Sequence, residues 1–277
     1  MTELVTQEEI DEFRITKLDL SHIVTEDDTP VDNLFSERQM RLLAESLYTS
    51  WSGPGEGRTF VAMANVGLFF HLREPPLVPD VLVSLDVTLP SEPWEKEHRS
   101  YFVWEYGKPP DVVVEIVSNK VGKELGDKLL DYARLGVAYY IIYDPSQFVS
   151  DQPLRIFSRQ GLHYTEIAEA WLAEVGVGVT LWEGEYERMA GVWLRWCNEQ
   201  GALLATGQEA LAATSRQLAI ESQRAEQESQ RAEQESQRAE LESRRAEQEA
   251  QRAEQAEQRA AALAAKLAAL GIDPESD

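Results

Sequence analysis

The chain lacks the features that mark several common classes of protein. Its 277 residues include one cysteine, Cys197, which excludes an internal disulfide framework and a cysteine-rich zinc site. The four histidines are scattered, and none pairs with another at metal-ligand spacing: His22, His71, His98 and His163. No apolar run approaches the length of a membrane-spanning helix, and the acidic N-terminal stretch has no signal-peptide core. We therefore expect a cytoplasmic protein that does not bind or span a membrane.

Positive charge is also scarce. The sequence has 26 lysines and arginines against 49 acidic residues, which gives a formal net charge of -23. This balance argues against broad electrostatic binding of nucleic acid, because such binding needs lysine and arginine facing the phosphates. It leaves room for a local basic patch and for a divalent metal ion. The 43% of hydrophobic residues and the seven tryptophans are typical of a folded globular part.

The most informative stretch runs from Pro109 to Pro145. Asp111–Val117 is an apolar run rich in β-branched residues, which predicts a buried strand. From Gly122 the apolar residues follow helical spacing, and Gly136 is placed where a helix commonly ends. Ala138–Tyr143 predicts a second strand. Two strands joined through one helix predict a right-handed crossover within a parallel part of a sheet.

Glu115 interrupts the first of these apolar strands. A carboxylate in an apolar strand costs several kcal/mol unless it is paired, hydrogen-bonded or bound to a metal. Strand alternation places Glu115 on the same face as Val113 and Val117. Two interpretations follow: an edge strand with its glutamate in solvent, or a site residue held on a rigid element.

The rest of the first 200 residues predicts further short elements. Residues 1–35 predict a partly extended, acidic lead-in. A helix capped by Ser36 is expected to end near Trp51. The other expected elements are strands at 59–65, 66–72, 80–87 and 100–105, a hairpin of 154–158 with 162–167, a continuation of the sheet at 170–181, and a helix over 188–199.

From about Leu203 the sequence becomes a seven-residue repeat based on ESQRAEQ. Serines and alanines recur in two columns, three residues apart: Ser222, Ser229, Ser236 and Ser243, and Ala225, Ala232, Ala239, Ala246 and Ala253. A strict heptad predicts a left-handed coiled coil. Because this seam is small and half polar, a solvated single helix is an equal alternative. We expect one helix over residues 203–270, separate from a domain of residues 1–200.

Asp80 and Glu115 are candidates for a shared metal site. Asp80 follows a proline and begins a predicted strand, although it could simply end the preceding turn. Two carboxylates can hold Mg²⁺, which prefers oxygen ligands and retains several waters. Lys128 lies in the following helix, with Glu124 four residues before it and Tyr132 four residues after it. A lysine near such a metal can orient a nucleophile or stabilise a phosphate, but Lys128 could also be a solvated helix lysine.

These elements resemble the Uma-two family of restriction-endonuclease-like proteins, within the PD-(D/E)XK nuclease superfamily. The similarity lies in the Pro79-Asp80 strand, the PPDVVVEIVS strand, the KLLDYARLGV helix and the YYIIYDP strand, and it covers most of residues 20–200. It implies an α/β restriction-endonuclease-like core with a central mixed sheet flanked by helices, and metal-dependent DNA cleavage. It implies catalytic roles for Asp80, Glu115 and Lys128, with Mg²⁺ or Mn²⁺ held by the two acids and with Glu124 and Tyr132 in support.

The leading hypothesis is therefore a Mg²⁺-dependent DNA endonuclease that hydrolyses phosphodiester bonds. The alternative is a catalytically inactive nuclease-like scaffold that recruits a partner through its helical tail. A homodimer formed through the core or through the tail is a further expectation.

Overall fold

The computed structural model describes residues 33–55, 57–92, 94–119 and 124–269, so the predicted lead-in over residues 1–32 lies outside it. Within this part of the chain the helices are α1 (Leu34–Ser50), α2 (Val103–Tyr106), α3 (Asp127–Leu135) and α4 (Gly207–Ala269). The strands are β1 (Phe60–Ala64), β2 (Leu68–Phe69), β3 (Val81–Leu85), β4 (Tyr101–Phe102), β5 (Val112–Ile116), β6 (Tyr139–Tyr143), β7 (Leu154–Gln160), β8 (His163–Ile167), β9 (Trp171–Leu172), β10 (Val177–Tyr186) and β11 (Met189–Cys197).

A mixed sheet of six strands forms the centre, in the order β1-β3-β5-β6-β7-β8. β5 and β6 are parallel, and the other neighbouring pairs are antiparallel. The chain passes from β5 to β6 through α3, which ends at Gly136 in the left-handed conformation that glycine tolerates. The predicted α/β class, the central mixed sheet and the parallel pair of strands joined through one helix are confirmed.

The central sheet is covered on both faces. Val112, Val114 and Ile116 of β5 belong to one buried cluster, to which α1 contributes Met40 and Leu43. The alternate residues of β5 face the opposite cluster, with Tyr132 of α3. Cover on both faces explains why β5 has a nearly continuous apolar sequence. The predicted alternation along β5, with Val113 and Val117 on one side, is confirmed.

The last strands of the globular part form a sheet of their own, in which β10 lies between β9 and β11. The prediction that residues 170–181 continue the main sheet is therefore wrong. The helix predicted over residues 188–199 is also wrong, because Met189–Cys197 pairs along its full length with β10. Five consecutive residues of β11, from Trp193 to Cys197, are buried, so this half of the strand shows no alternation that the sequence could reveal.

Smaller corrections concern the beginnings and ends of elements. Asn33, rather than Ser36, caps α1: its side-chain oxygen accepts the Ser36 amide at 2.9 Å. The strand predicted over residues 100–105 is only Tyr101–Phe102, which the helical turn α2 follows. The strand predicted over residues 66–72 is limited to Leu68–Phe69.

The C-terminal repeat forms one helix of 63 residues, α4, as predicted apart from its first few positions and Leu270, which lies outside the described residues. Contacts divide the chain into one unit ending at Ala210 and a second beginning at Leu211. No helix among the described residues is both long enough and apolar enough to cross a membrane.

Candidate active site

Pairing between β3 and β5 places Asp80 beside Glu115. Val81 is opposite Val114 in this antiparallel pair, so one further step in the same register sets Asp80 opposite Glu115. Directly opposed residues of antiparallel strands project from the same face of a sheet. The Asp80 carboxylate is held there by its Oδ2 atom, which accepts the Ile116 amide at 2.6 Å. The structure thus brings the two predicted acids together on one face.

Glu115 is buried and fully hydrogen-bonded to α3. Its side chain is 3% exposed, so the interpretation of a solvent-facing glutamate on an edge strand is wrong. Lys128 Nζ donates to Glu115 Oε2 at 2.8 Å, and the Tyr132 hydroxyl donates to Oε1 at 2.7 Å. The four-residue spacing of Lys128 and Tyr132 puts both donors on the helix face that covers β5.

The charge of Glu115 is only partly compensated. The pKa of this carboxyl group is raised to about 7: burial is the main cause and the Asp80 charge adds to it, while Lys128 and Tyr132 act in the opposite direction. For Lys128, burial lowers the pKa, but the Glu115, Glu124 and Asp80 carboxylates outweigh it and the net direction is upward. Lys128 therefore stays charged, while Glu115 is poised to gain or lose a proton near neutral pH.

Glu124 lies beside Lys128 but does not share the helix with it, because α3 begins at Asp127 rather than near Gly122. Its Oε1 atom is 3.8 Å from Lys128 Nζ, within ion-pair range but too far for a hydrogen bond. Glu124 is 8% exposed, and its Oε2 atom has no hydrogen-bond partner among the described residues. A buried carboxylate oxygen without a donor is a position where a cation would be stabilised.

The donor set suits a hard divalent cation. Mg²⁺ is usually held by one or two carboxylates together with waters and substrate phosphates. Asp80 and Glu115 provide such a pair, and Glu124 provides a further unpartnered oxygen. The described residues contain no group of three or more histidine, cysteine, aspartate or glutamate side chains that could hold a metal ion. Asp80 and Glu115 are thus the residues that would hold a divalent cation here, with water and substrate oxygens completing its coordination.

A cleft opens beside Lys128. This cavity of about 370 Å³ is lined by Leu77, Asp127, Lys128, Leu130, Asp131 and Arg134. The Lys128 side chain is 29% exposed, whereas that of Glu115 is 3% exposed. A substrate in the cleft would therefore meet the lysine before the buried acid. This cleft could not be predicted from the sequence, because its lining comes from α3 and from the loop that precedes Asp80.

A central mixed sheet with an acidic pair and a lysine on one face defines a restriction-endonuclease-like α/β protein. Residues 26–176 match the model of the Uma2 family, described as "Putative restriction endonuclease". Because the match spans more than half of the 277 residues, the chain belongs to the Uma2 family. No curated protein and no solved structure matched the chain. The family confirms the resemblance found in the sequence and indicates nuclease activity at the level of class.

Proposed function

We propose that this chain is a divalent-metal-dependent endonuclease that hydrolyses phosphodiester bonds in DNA. The observation that carries the proposal is the contact of Lys128 with Glu115, on the sheet face where Asp80 lies opposite, at the side of an open cleft. A cation at this point would meet carboxylate oxygens, and a phosphate would meet the lysine ammonium. Family membership supports the same class of reaction.

Each side chain has a distinct task in this proposal. Asp80 and Glu115 would hold Mg²⁺ or Mn²⁺, which would polarise a phosphoryl oxygen and lower the pKa of bound water. Lys128 positions the attacking water or the scissile phosphate and balances negative charge there. Tyr132 fixes the orientation of the Glu115 carboxylate, and Glu124 keeps the Lys128 ammonium near the acids.

Cleavage of plasmid and linear duplex DNA, with Mg²⁺ or Mn²⁺ and with EDTA, tests the proposal. Asp80→Asn keeps an oxygen to accept the Ile116 amide but loses the charge, so we expect cleavage to fall by about 100-fold or more. Asp86→Asn is the matched control, because Asp86 directly follows β3 just as Asp80 directly precedes it. Equal cleavage by both variants would contradict the assignment.

Lys128→Ala tests the lysine in the same assay. We expect the same loss of cleavage together with some loss of stability, because the change leaves the buried Glu115 without its ion-pair partner; urea unfolding of the variant shows that the protein assayed is folded. Lys108→Ala is the matched control: Lys108 also pairs with a carboxylate, Asp111, and its side chain is 31% exposed against 29% for Lys128. Full activity of Lys128→Ala would show that Lys128 has only a structural role, as the ion-pair partner of Glu115.

The second candidate is an inactive nuclease-like scaffold that recruits a partner through α4. It is favoured by the exposure of the repeat along α4, which leaves this helix open to a partner. A wild-type chain that cleaves no DNA with either metal, although it is folded, would support this candidate and reject the nuclease.

A further inference from the structure

Both carboxylate oxygens of Glu115 accept a hydrogen bond from α3. The Lys128 ammonium lies 2.8 Å from Oε2, and the Tyr132 hydroxyl lies 2.7 Å from Oε1. A carboxylate oxygen that binds Mg²⁺ must approach the ion to about 2.1 Å and give it one of its lone pairs. The two donors from α3 therefore contact the same atoms through which Glu115 would hold a cation.

The two donors differ in how easily they can give way to a cation. The Tyr132 side chain is neutral and fully buried, and its ring packs against that of Tyr140 with the centroids 5.2 Å apart. The Lys128 side chain is charged, 29% exposed and carried on a flexible four-carbon stem. A divalent cation and an ammonium on one carboxylate would lie within roughly 5 Å and repel each other. Lys128 is therefore the group that a cation at Glu115 would displace.

Glu124 offers the displaced ammonium a second acceptor. Its Oε1 atom is 3.8 Å from Lys128 Nζ, so a shift of about 1 Å would turn this ion pair into a hydrogen bond. The residue is 8% exposed, and its Oε2 atom has no hydrogen-bond partner within the described part of the chain. Its backbone carbonyl accepts the Tyr140 hydroxyl at 3.1 Å, which holds it beside the lysine. A buried carboxylate placed in this way is stabilised by a closer ammonium.

We propose that Lys128 and a divalent cation exclude each other at Glu115, and that the ammonium moves to Glu124 when the cation binds. The cation itself rests on the proposed function, whereas the exchange rests on the contacts of Lys128 and Glu124. Among the described residues, Asp80, Glu115 and Glu124 do not form a group of three that could hold a metal ion. Glu124 is thus a positioning residue that acts through Lys128, and the exchange releases the lysine from Glu115 beside the cleft.

Binding of Mn²⁺ to the full-length chain without DNA, measured by isothermal titration calorimetry, tests the exchange. Glu124→Gln should weaken Mn²⁺ binding about tenfold, because the ammonium must then leave Glu115 without a charged acceptor. Asp131→Asn is the matched control, since Asp131 is one helical turn beyond Lys128 and lines the same cleft. It should change binding by less than about twofold. Equal weakening by both variants would indicate a general effect of charge and would overturn the exchange.

A double-mutant cycle separates an effect through the lysine from direct ligation by Glu124. In a Lys128→Met background no ammonium has to move, so the addition of Glu124→Gln should leave the Mn²⁺ affinity unchanged. A direct ligand would lose the same affinity in both backgrounds, and that result would overturn the proposal. Urea unfolding shows whether Lys128→Met is folded. If it is not, Lys128→Gln, which keeps a neutral donor on this side chain, takes its place in the cycle.

Acetylation by limiting acetic anhydride, quantified by mass spectrometry, follows the ammonium without any change at Lys128. Mg²⁺ should raise the modification of Lys128 several-fold in Glu124→Gln, where the displaced ammonium reaches solvent, but by less than about twofold in wild type. Lys108, which is paired with Asp111, is the internal reference. No rise in the variant would show that the lysine stays on Glu115. An equal rise in both proteins would show that Glu124 does not accept it, and either result overturns the exchange.

The DNA cleavage assay separates this proposal from the proposed function. If Mn²⁺ binding and acetylation behave as expected while no DNA is cleaved, the exchange stands and the nuclease proposal fails. If DNA is cleaved while Glu124→Gln binds Mn²⁺ like wild type, the nuclease stands and the exchange fails. A folded chain that binds no Mn²⁺ would contradict both.

Discussion

Glu115 concentrates the electrostatic cost of the site in one residue. The carboxyl group is buried at the centre of the sheet, and its pKa is raised from 4.5 to about 7, chiefly by burial. The folded chain therefore binds more protons than the unfolded chain between these two values. Removal of that proton as pH rises penalises the folded state, whereas Lys128, with its raised pKa, contributes a change only at strongly alkaline pH.

The free energy of unfolding should accordingly fall as pH rises from about 4.5 to about 7 in metal-free buffer. The two pKa values correspond to a total effect of about 3 kcal/mol for this group. Glu115→Gln, which does not titrate, should remove this part of the pH dependence. Urea unfolding of both proteins across the range, with EDTA, measures the difference. The same slope in wild type and variant would show that Glu115 keeps an ordinary pKa.

At the scale of elements, the sequence predicts secondary structure best where its apolar residues follow one clear periodicity. The β5–α3–β6 unit was predictable because a β-branched run, a helical stripe and Gly136 all agreed. The β10–β11 hairpin was not, because Glu187 and Arg188 at its turn both have positive φ without the asparagine or glycine that usually signals such a turn. Because five consecutive residues of β11 are buried, apolar residues of this strand also fall at helical spacing, which predicts a helix instead.

The candidate site likewise contains residues that could be predicted from the sequence and contacts that could not. Asp80, Glu115 and Lys128 were identifiable from a carboxylate in an apolar strand and from the family resemblance. The amide of Ile116 that holds Asp80 leaves no mark in the sequence, since this contact depends on tertiary placement. One signal that was missed is present in the sequence. Thr206 and Glu209 have the spacing of a capping box, which sets the start of α4.

This capping box also ties the first turn of α4 to the globular unit. The Thr206 amide donates to Glu209 Oε2, and the Glu209 amide donates to Thr206 Oγ1. Arg195 of β11, only 2% exposed, donates through two nitrogens to the same carboxylate, and its Nη2 also donates to the Leu204 carbonyl. Gly207 donates to Glu45 of α1. The domain boundary predicted between residues 200 and 203 lies before Leu204, Thr206, Gly207 and Glu209, which make these contacts with the globular unit.

Glu209→Ala should therefore destabilise the globular unit. It leaves the buried Arg195 guanidinium without its carboxylate and removes the cap, so we expect a loss of roughly 1–3 kcal/mol, allowing for the partial exposure of Glu209. Glu228→Ala, the same change on the exposed surface of α4, should leave unfolding unaffected. Urea unfolding followed by tryptophan fluorescence measures both, and equal midpoints would show that Arg195 finds another partner.

At the scale of the whole molecule, the charges beside the heptad seam decide what the tail can do. The glutamates that follow the alanine column are Glu226, Glu233, Glu240, Glu247 and Glu254, and those that precede the serine column are Glu221, Glu228, Glu235 and Glu242. A coiled coil of two copies would bring glutamate against glutamate across this seam in either orientation. The alanines and serines bury too little apolar surface to offset that repulsion.

A peptide of residues 211–269 should thus be a helical monomer at neutral pH, with helicity that does not depend on concentration. Replacing the five glutamates that follow the alanine column with lysine should give a dimer at neutral pH, because each lysine then faces a glutamate of the parallel partner. Circular dichroism at several concentrations and analytical ultracentrifugation measure these states. A wild-type peptide that is already dimeric at neutral pH would show that another face of the helix associates, and would restore the tail as a route to a homodimer.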